Sequence, residues 1–115
     1  MIFIAGGAYQ GKTAYVKEQF GTGYTVVDDY HLRVKEQLLQ GLDPLQEAEL
    51  FWEQQLQSGN IDRLIVISAE QGYGVVPVDA FERNYREQSG RVNSYLAKQA
   101  QSVIRMICGL GMKIK

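Results

Sequence analysis

The segment Gly6-Gly7-Ala8-Tyr9-Gln10-Gly11-Lys12-Thr13 fits the pattern G-x-x-x-x-G-K-[ST] without a mismatch, directly after the apolar run Met1-Ile2-Phe3-Ile4-Ala5. A short apolar run ended by paired glycines reads as a buried strand. Lys12 to Gln19 reads as the helix that follows, closed by Gly21 and Gly23. Strand, glycine-rich turn and helix in this order make a loop that wraps phosphate. Glycines let the main-chain amides turn inward, and the helix start adds free N–H groups and the positive end of its dipole. Lys12 is long enough to lie along β- and γ-phosphates, and the Thr13 hydroxyl is placed to ligate Mg2+. The expected nucleotide contacts are therefore Gly6, Gly7, Ala8, Tyr9, Gln10, Gly11, Lys12 and Thr13. The alternative is a tight glycine turn that happens to contain Lys-Thr.

The rest of the chain alternates strands with helices. Tyr24 to Val27 is a β-branched and aromatic strand that ends at Asp28-Asp29. Tyr30 to Gln40 is a helix stopped by Gly41, and Asp43-Pro44 is a cap and first-turn pair opening the next. There Leu45, Ala48, Phe51, Trp52 and Leu56 recur at helical spacing, which places Phe51 and Trp52 in the core. Leu64 to Ile67 is a continuous apolar strand of the kind parallel sheets bury on both faces. Gly72 and Gly74 mark an irregular loop. A long helical region from Asp79 to Gln99 follows, with Gly90 expected to kink or break it. Val103 to Cys108 and Met112 to Ile114 are two last strands, with Cys108 expected as a small buried hydrophobe. Only an antiparallel pair can be joined by the short Gly109-Leu110-Gly111. The order predicts an α/β, P-loop NTPase-type three-layer fold with a mostly parallel sheet and an antiparallel C-terminal edge strand.

At 115 residues the chain is expected to form a single nucleotide-binding domain over 1–115. Twelve basic and thirteen acidic side chains leave a net charge of −1, which argues against nucleic acid or an anionic membrane surface as a partner. The single cysteine excludes an intrachain disulfide framework, and no apolar run reaches the length of a membrane span. A cytoplasmic protein is the expectation.

In open parallel sheets, ligands bind beyond the carboxyl ends of the strands. Two other strands deliver acids there: Asp28-Asp29, and Glu70 after Leu64 to Ala69. Phosphate-bound Mg2+ needs a carboxylate nearby, and phosphoryl transfer to an alcohol gains from a group that orients the hydroxyl. Asp28 and Glu70 are candidates for both roles, Lys12 is the third candidate catalytic residue, and the candidate metal set is Thr13, Asp28 and Glu70. Asp29 reads as a helix cap.

The stretch from Ile67 to Pro77 resembles the E-x-G-x-G-[IV]-V-P segment of the adenosylcobinamide kinase/adenosylcobinamide-phosphate guanylyltransferase family of cobalamin biosynthesis. Arg83-Asn84-Tyr85-Arg86 and Gly90-Arg91-Val92-Asn93 are similar to its R-x-[FY]-R-x-x-x-G-R-x-N helix. Gly109 to Lys115 is similar to its G-L-P-x-x-x-K terminus, with Gly111 at the usual proline. Val27 to Leu32 resembles its L-D-C-L-T-L segment, with Asp28 at the aspartate and His31 at the threonine. The resemblance implies ATP or GTP with Mg2+, adenosylcobinamide as phosphoryl acceptor and a homo-oligomer packed through the C-terminal helical region. One module is missing. Family members carry a further strand and an acidic helix, with the guanylylated histidine, between the P-loop helix and the aspartate strand; here Gly21-Thr22-Gly23-Tyr24 leads straight into that strand. A kinase that has lost guanylyl transfer is the reading this implies. The alternatives are a regulatory nucleotide-binding relative and a kinase for another small alcohol.

Three further features carry two readings each. Arg83, Arg86 and Arg91 could bind phosphate or form a solvated face paired with Glu82 and Glu87. Tyr73 could stack on a flat ligand or anchor its loop. His31, the only histidine, reads most simply as a polar side chain on a helical first turn.

Overall fold

A computed structural model describes residues 1–7, 11–70 and 79–115. The elements run β1 (Ile2–Gly6), α1 (Lys12–Phe20), β2 (Thr25–Val27), α2 (Tyr30–Leu39), α3 (Pro44–Ser58), a 3-10 turn (Ile61–Arg63), β3 (Leu64–Ala69), α4 (Ala80–Gln99), β4 (Ser102–Ile107) and β5 (Leu110–Lys113). The strands form one five-stranded sheet in the order β2-β3-β1-β4-β5. Pairings among the first four are parallel, and β5 runs antiparallel to β4 along the edge.

Strand alternation sends side chains to two separate cores. Phe3, Ala5, Leu64, Val66 and Val103 face Tyr30 and Val34 of α2, Ala48 and Phe51 of α3, and Tyr85, Val92 and Leu96 of α4. Ile4, Ile65, Ile67, Ile104 and Met106 face the other way, against Val16 of α1. Helices on both faces make the three layers. Each fully buried aliphatic side chain contributes about 1.5–3 kcal/mol relative to exposure, so β3, buried from end to end, anchors the sheet. Phe51 is buried and the half-buried Trp52 packs against the same core, as their spacing predicts.

The helix ends follow local chemistry. Asp43 Oδ1 accepts the Leu45 N–H with Pro44 at the first helical position, and Asp79 Oδ1 accepts the N–H groups of Phe81 and Glu82. Asp29 occupies the N-cap position of α2 but its side chain makes no cap bond, because its backbone is left-handed (φ 52°) rather than extended.

Two further expectations are corrected. The α4 helix runs unbroken through Gly90: one glycine costs a helix only about 1 kcal/mol, and Tyr85, Ser89, Val92 and Leu96 bury a continuous stripe on both sides of it. Cys108 is exposed and lies in a turn instead of a strand. Ile107 pairs with Leu110, leaving Cys108 and Gly109 as a two-residue hairpin loop with φ of 51° and 76°. Positive φ at both central residues is what a type I′ turn requires. Among the described residues, no helix is long and apolar enough to cross a membrane.

Candidate nucleotide-binding site

The site is assembled at the carboxyl ends of β1, β2 and β3. Gly6 closes β1 in register with Ala69 of β3, and the Glu70 N–H donates to the Gly6 carbonyl at 2.7 Å. Gly6 has no room for a side chain, since a Cβ there would lie 2.8 Å from the Met106 carbonyl oxygen of β4. Gly11 stands at the N-cap of α1 with φ 78°, a conformation that glycine alone adopts without strain. Ala8, Tyr9 and Gln10 of the loop, and Tyr73 of the second glycine-rich segment, lie outside the described residues.

Lys12 is the first residue of α1, and its ammonium folds back over the strand end. Nζ donates to the Gly7 carbonyl at 2.9 Å and reaches the Gly6 carbonyl at 3.5 Å. Burial lowers its pKa from the ordinary lysine value, while the negative charges of Asp29, Asp28 and Glu70 work to raise it. One ammonium thus sits within electrostatic reach of all three acids delivered by β2 and β3.

Thr13, one residue further along α1, meets the end of β2. Its Oγ1 lies 3.3 Å from Asp28 Oδ2, and Asp28 Oδ1 accepts the Asp29 N–H at 2.8 Å. The left-handed turn at Asp29 swings the chain from β2 into α2 and leaves the Asp28 carboxylate facing α1. A hydroxyl beside a carboxylate is a hard-oxygen donor pair, suited to Mg2+, which uses few protein ligands and keeps water and phosphate oxygens around it. Among the described residues no group of three or more His, Cys, Asp or Glu side chains could hold a metal, so a zinc-type cage is not built here.

Glu70, at the end of β3, carries a contact that sequence reasoning missed. Arg105 Nη2 lies 3.1 Å from Glu70 Oε2, both side chains being partly buried. The only signal in the sequence is a lone cation inside an otherwise apolar strand. Arg105 shares the α4 face of β4 with Val103, and this pair borders a cavity of about 280 Å3 that Asn93 also lines. Of the α4 arginines, Arg91 pairs with Glu87 at 2.8 Å on an exposed face, the blander of its two readings.

His31 also proves to be placed. Its Nδ1 accepts the Ala69 N–H at 3.1 Å, and its carbonyl accepts the Tyr85 hydroxyl at 3.0 Å. Burial pulls the imidazole below its ordinary pKa; the Asp29 and Asp28 carboxylates push it up and Lys12 pushes it down.

A family model described as "Cobinamide kinase / cobinamide phosphate guanyltransferase" matches residues 12–114. The chain belongs to that family. Over 53 residues, 46% of this chain, it is 38% identical to the "Bifunctional adenosylcobalamin biosynthesis protein CobU" of Escherichia coli strain K12. The identity and coverage are the same for the protein of that name from Salmonella typhimurium. The "Bifunctional adenosylcobalamin biosynthesis protein CobP" of Pseudomonas aeruginosa is 34% identical over 53 residues. The matched stretch spans 29% of the two CobU proteins and 31% of CobP. The family and the strand order together make this a P-loop NTPase-type fold.

Proposed function

We propose that the chain is a nucleoside-triphosphate-dependent kinase that phosphorylates the side-chain hydroxyl of cobinamide, without guanylyl transfer. The observation that carries this reading is the convergence of Lys12, Thr13 and Asp28 at the carboxyl ends of β1 and β2. These are the parts that grip a triphosphate tail and its metal in P-loop enzymes.

In this reading the loop from Gly6 to Thr13 cradles the β- and γ-phosphates of ATP or GTP. The Lys12 ammonium leaves the Gly6 and Gly7 carbonyls for phosphate oxygens. Thr13 and Asp28 hold Mg2+, which when bound neutralises charge on the transferring group. Asp28 or Glu70 orients the acceptor hydroxyl, with Glu70 itself braced by Arg105. The alcohol oxygen bonds to the γ-phosphorus, the bond to the bridging β–γ oxygen breaks, and the hydroxyl proton passes to a carboxylate and on to water. Positioning and charge neutralisation supply the catalysis. The kinase is read as one domain over 1–115, acting as a homo-oligomer.

Two observations support the absence of guanylyl transfer. Only Gly21 to Tyr24 separates α1 from β2, too little for another strand and helix. The sole histidine has its unprotonated nitrogen engaged by the Ala69 amide, so no imidazole lone pair is offered as a nucleophile.

The same short connection favours a second reading, in which the pocket has lost a wall and the chain only binds nucleotide. Incubation with Mg2+, labelled ATP or GTP, and adenosylcobinamide separates the two. Phosphorylated cobinamide supports the kinase. Tight nucleotide binding without product supports the binding protein and overturns the kinase.

A further inference from the structure

We propose that His31 is a positioning residue for the phosphoryl-transfer site, acting through the end of β3; this rests on the kinase reading above. The sheet itself creates the need for it. Strand β2 stops at Val27, opposite Val66, while β3 continues to Ala69. Among the described residues, the β2 side of β3 therefore has no strand partner beyond Val66. In a parallel ladder successive residues turn their amides to opposite sides. The Glu70 N–H points to β1, where it meets the Gly6 carbonyl, so the Ala69 N–H points away, to the vacated side.

A buried backbone donor without an acceptor is strongly unfavourable, and Ala69 is buried. Two side chains take the place of the missing strand. His31 Nδ1, from the first turn of α2, accepts the Ala69 N–H at 3.1 Å. Asn93 Nδ2, from α4, donates to the Ala69 carbonyl at 3.4 Å, while Asn93 Oδ1 accepts from the fully buried Ser68 hydroxyl at 2.9 Å. His31 is itself fixed, because the Tyr85 hydroxyl donates to its carbonyl at 3.0 Å. The residue after Ala69 is Glu70, whose amide holds the phosphate-loop strand through Gly6. His31 and Asn93 thus clamp the peptide that sets both the Glu70 carboxylate and the start of the loop.

The contact also settles the proton on the ring. A nitrogen that accepts an amide N–H carries a lone pair, so the neutral imidazole bears its hydrogen on Nε2. An asparagine at this position places its Oδ1 close to where His31 Nδ1 lies and accepts the same amide, whereas leucine fills the space and accepts nothing.

The test compares the 115-residue chain with its His31→Asn and His31→Leu variants by two readouts. The first is amide exchange at Ala69 and Glu70, followed by NMR without any ligand. The second is kcat and KM for phosphoryl transfer from Mg-ATP or Mg-GTP to adenosylcobinamide. We expect protection of both amides in the parent and in His31→Asn, and its loss in His31→Leu. We expect kcat to fall about ten- to a hundredfold in His31→Leu with nucleotide KM nearly unchanged, and asparagine to restore most of it. Unchanged protection in His31→Leu, or lost protection with kcat intact, overturns the inference. A parent chain that transfers no phosphoryl group overturns the kinase reading instead, and the exchange measurement then decides the clamp alone.

Discussion

Thr13 Oγ1 stands 3.3 Å from Asp28 Oδ2, so the first turn of α1 and the end of β2 present one hydroxyl and one carboxylate to the same point in space. If that point is where Mg2+ binds, Thr13→Val and Asp28→Asn should each lower phosphoryl transfer by about a hundredfold or more, the range seen when one charge-stabilising group is removed. Both variants should melt within a few degrees of the parent, since both residues are exposed. Nucleotide titrations with and without Mg2+ check the assignment. The parent's affinity should depend on Mg2+, and that dependence should shrink in both variants.

Gly6 tests the packing beneath the loop. A methyl group there would meet the Met106 carbonyl oxygen at 2.8 Å and its Cβ at 3.1 Å, and neither belongs to the flexible end of a side chain. Gly6→Ala should therefore force β1 away from β4 and cost about 1–3 kcal/mol, as overpacking of a close contact does. Urea unfolding should show a lowered midpoint at unchanged slope. Nucleotide affinity should fall with it, because Gly6 also receives the Glu70 amide.

The turn between β4 and β5 offers a change in the opposite direction. Cys108 has φ 51°, a conformation that asparagine tolerates better than cysteine. Cys108→Asn should raise stability by a few tenths to about 1 kcal/mol. Cys108→Val, β-branched at positive φ, should lower it. Thermal melts of the three proteins give the order.

These contrasts show what the chain reveals unaided. Among the described residues the α-helices and strands were legible in type and order, because their periods of hydrophobicity differ and glycine or Asp-Pro punctuation separates them. The 3-10 turn Ile61–Arg63 was not, and β5 begins two residues before the expected Met112. The strand order places Lys12, Thr13 and Asp28 together, as the loop pattern and the strand-end acids imply. Cys108 was not legible, because its burial depended on where the hairpin turned, and one residue of slip exchanges strand for loop. The His31 and Asn93 contacts with Ala69 were hidden for a deeper reason. They arise because β2 stops short of β3, and the length of one strand relative to another is a property of the assembled sheet. The Glu70–Arg105 pair likewise needs β3, β1 and β4 side by side.

Stability should depend on pH through His31. Burial places its folded pKa below the ordinary 6.5. In the window between those two values the unfolded chain binds a proton that the folded chain refuses. The contribution is therefore complete above pH 6.5, declines as pH falls through that window, and levels off below the folded pKa. Denaturant midpoints from pH 8 to pH 5 should fall more for the parent than for His31→Asn, which has nothing to titrate at this position. Equal losses in the two proteins would place the titrating group elsewhere.

Calorimetric titration of the parent and of Lys12→Ala with ATP and GTP, in the presence of Mg2+, tests whether this loop grips a triphosphate. The Lys12 ammonium rests on the Gly7 carbonyl at 2.9 Å, from which it would turn to a bound triphosphate. The parent should release heat and melt at a higher temperature with at least one of the two nucleotides. Lys12→Ala should lose most of that affinity while keeping its own cooperative melt. No heat and no thermal shift with either triphosphate, or binding that survives the loss of Lys12 undiminished, would mean that Lys12 and its loop are not a triphosphate site.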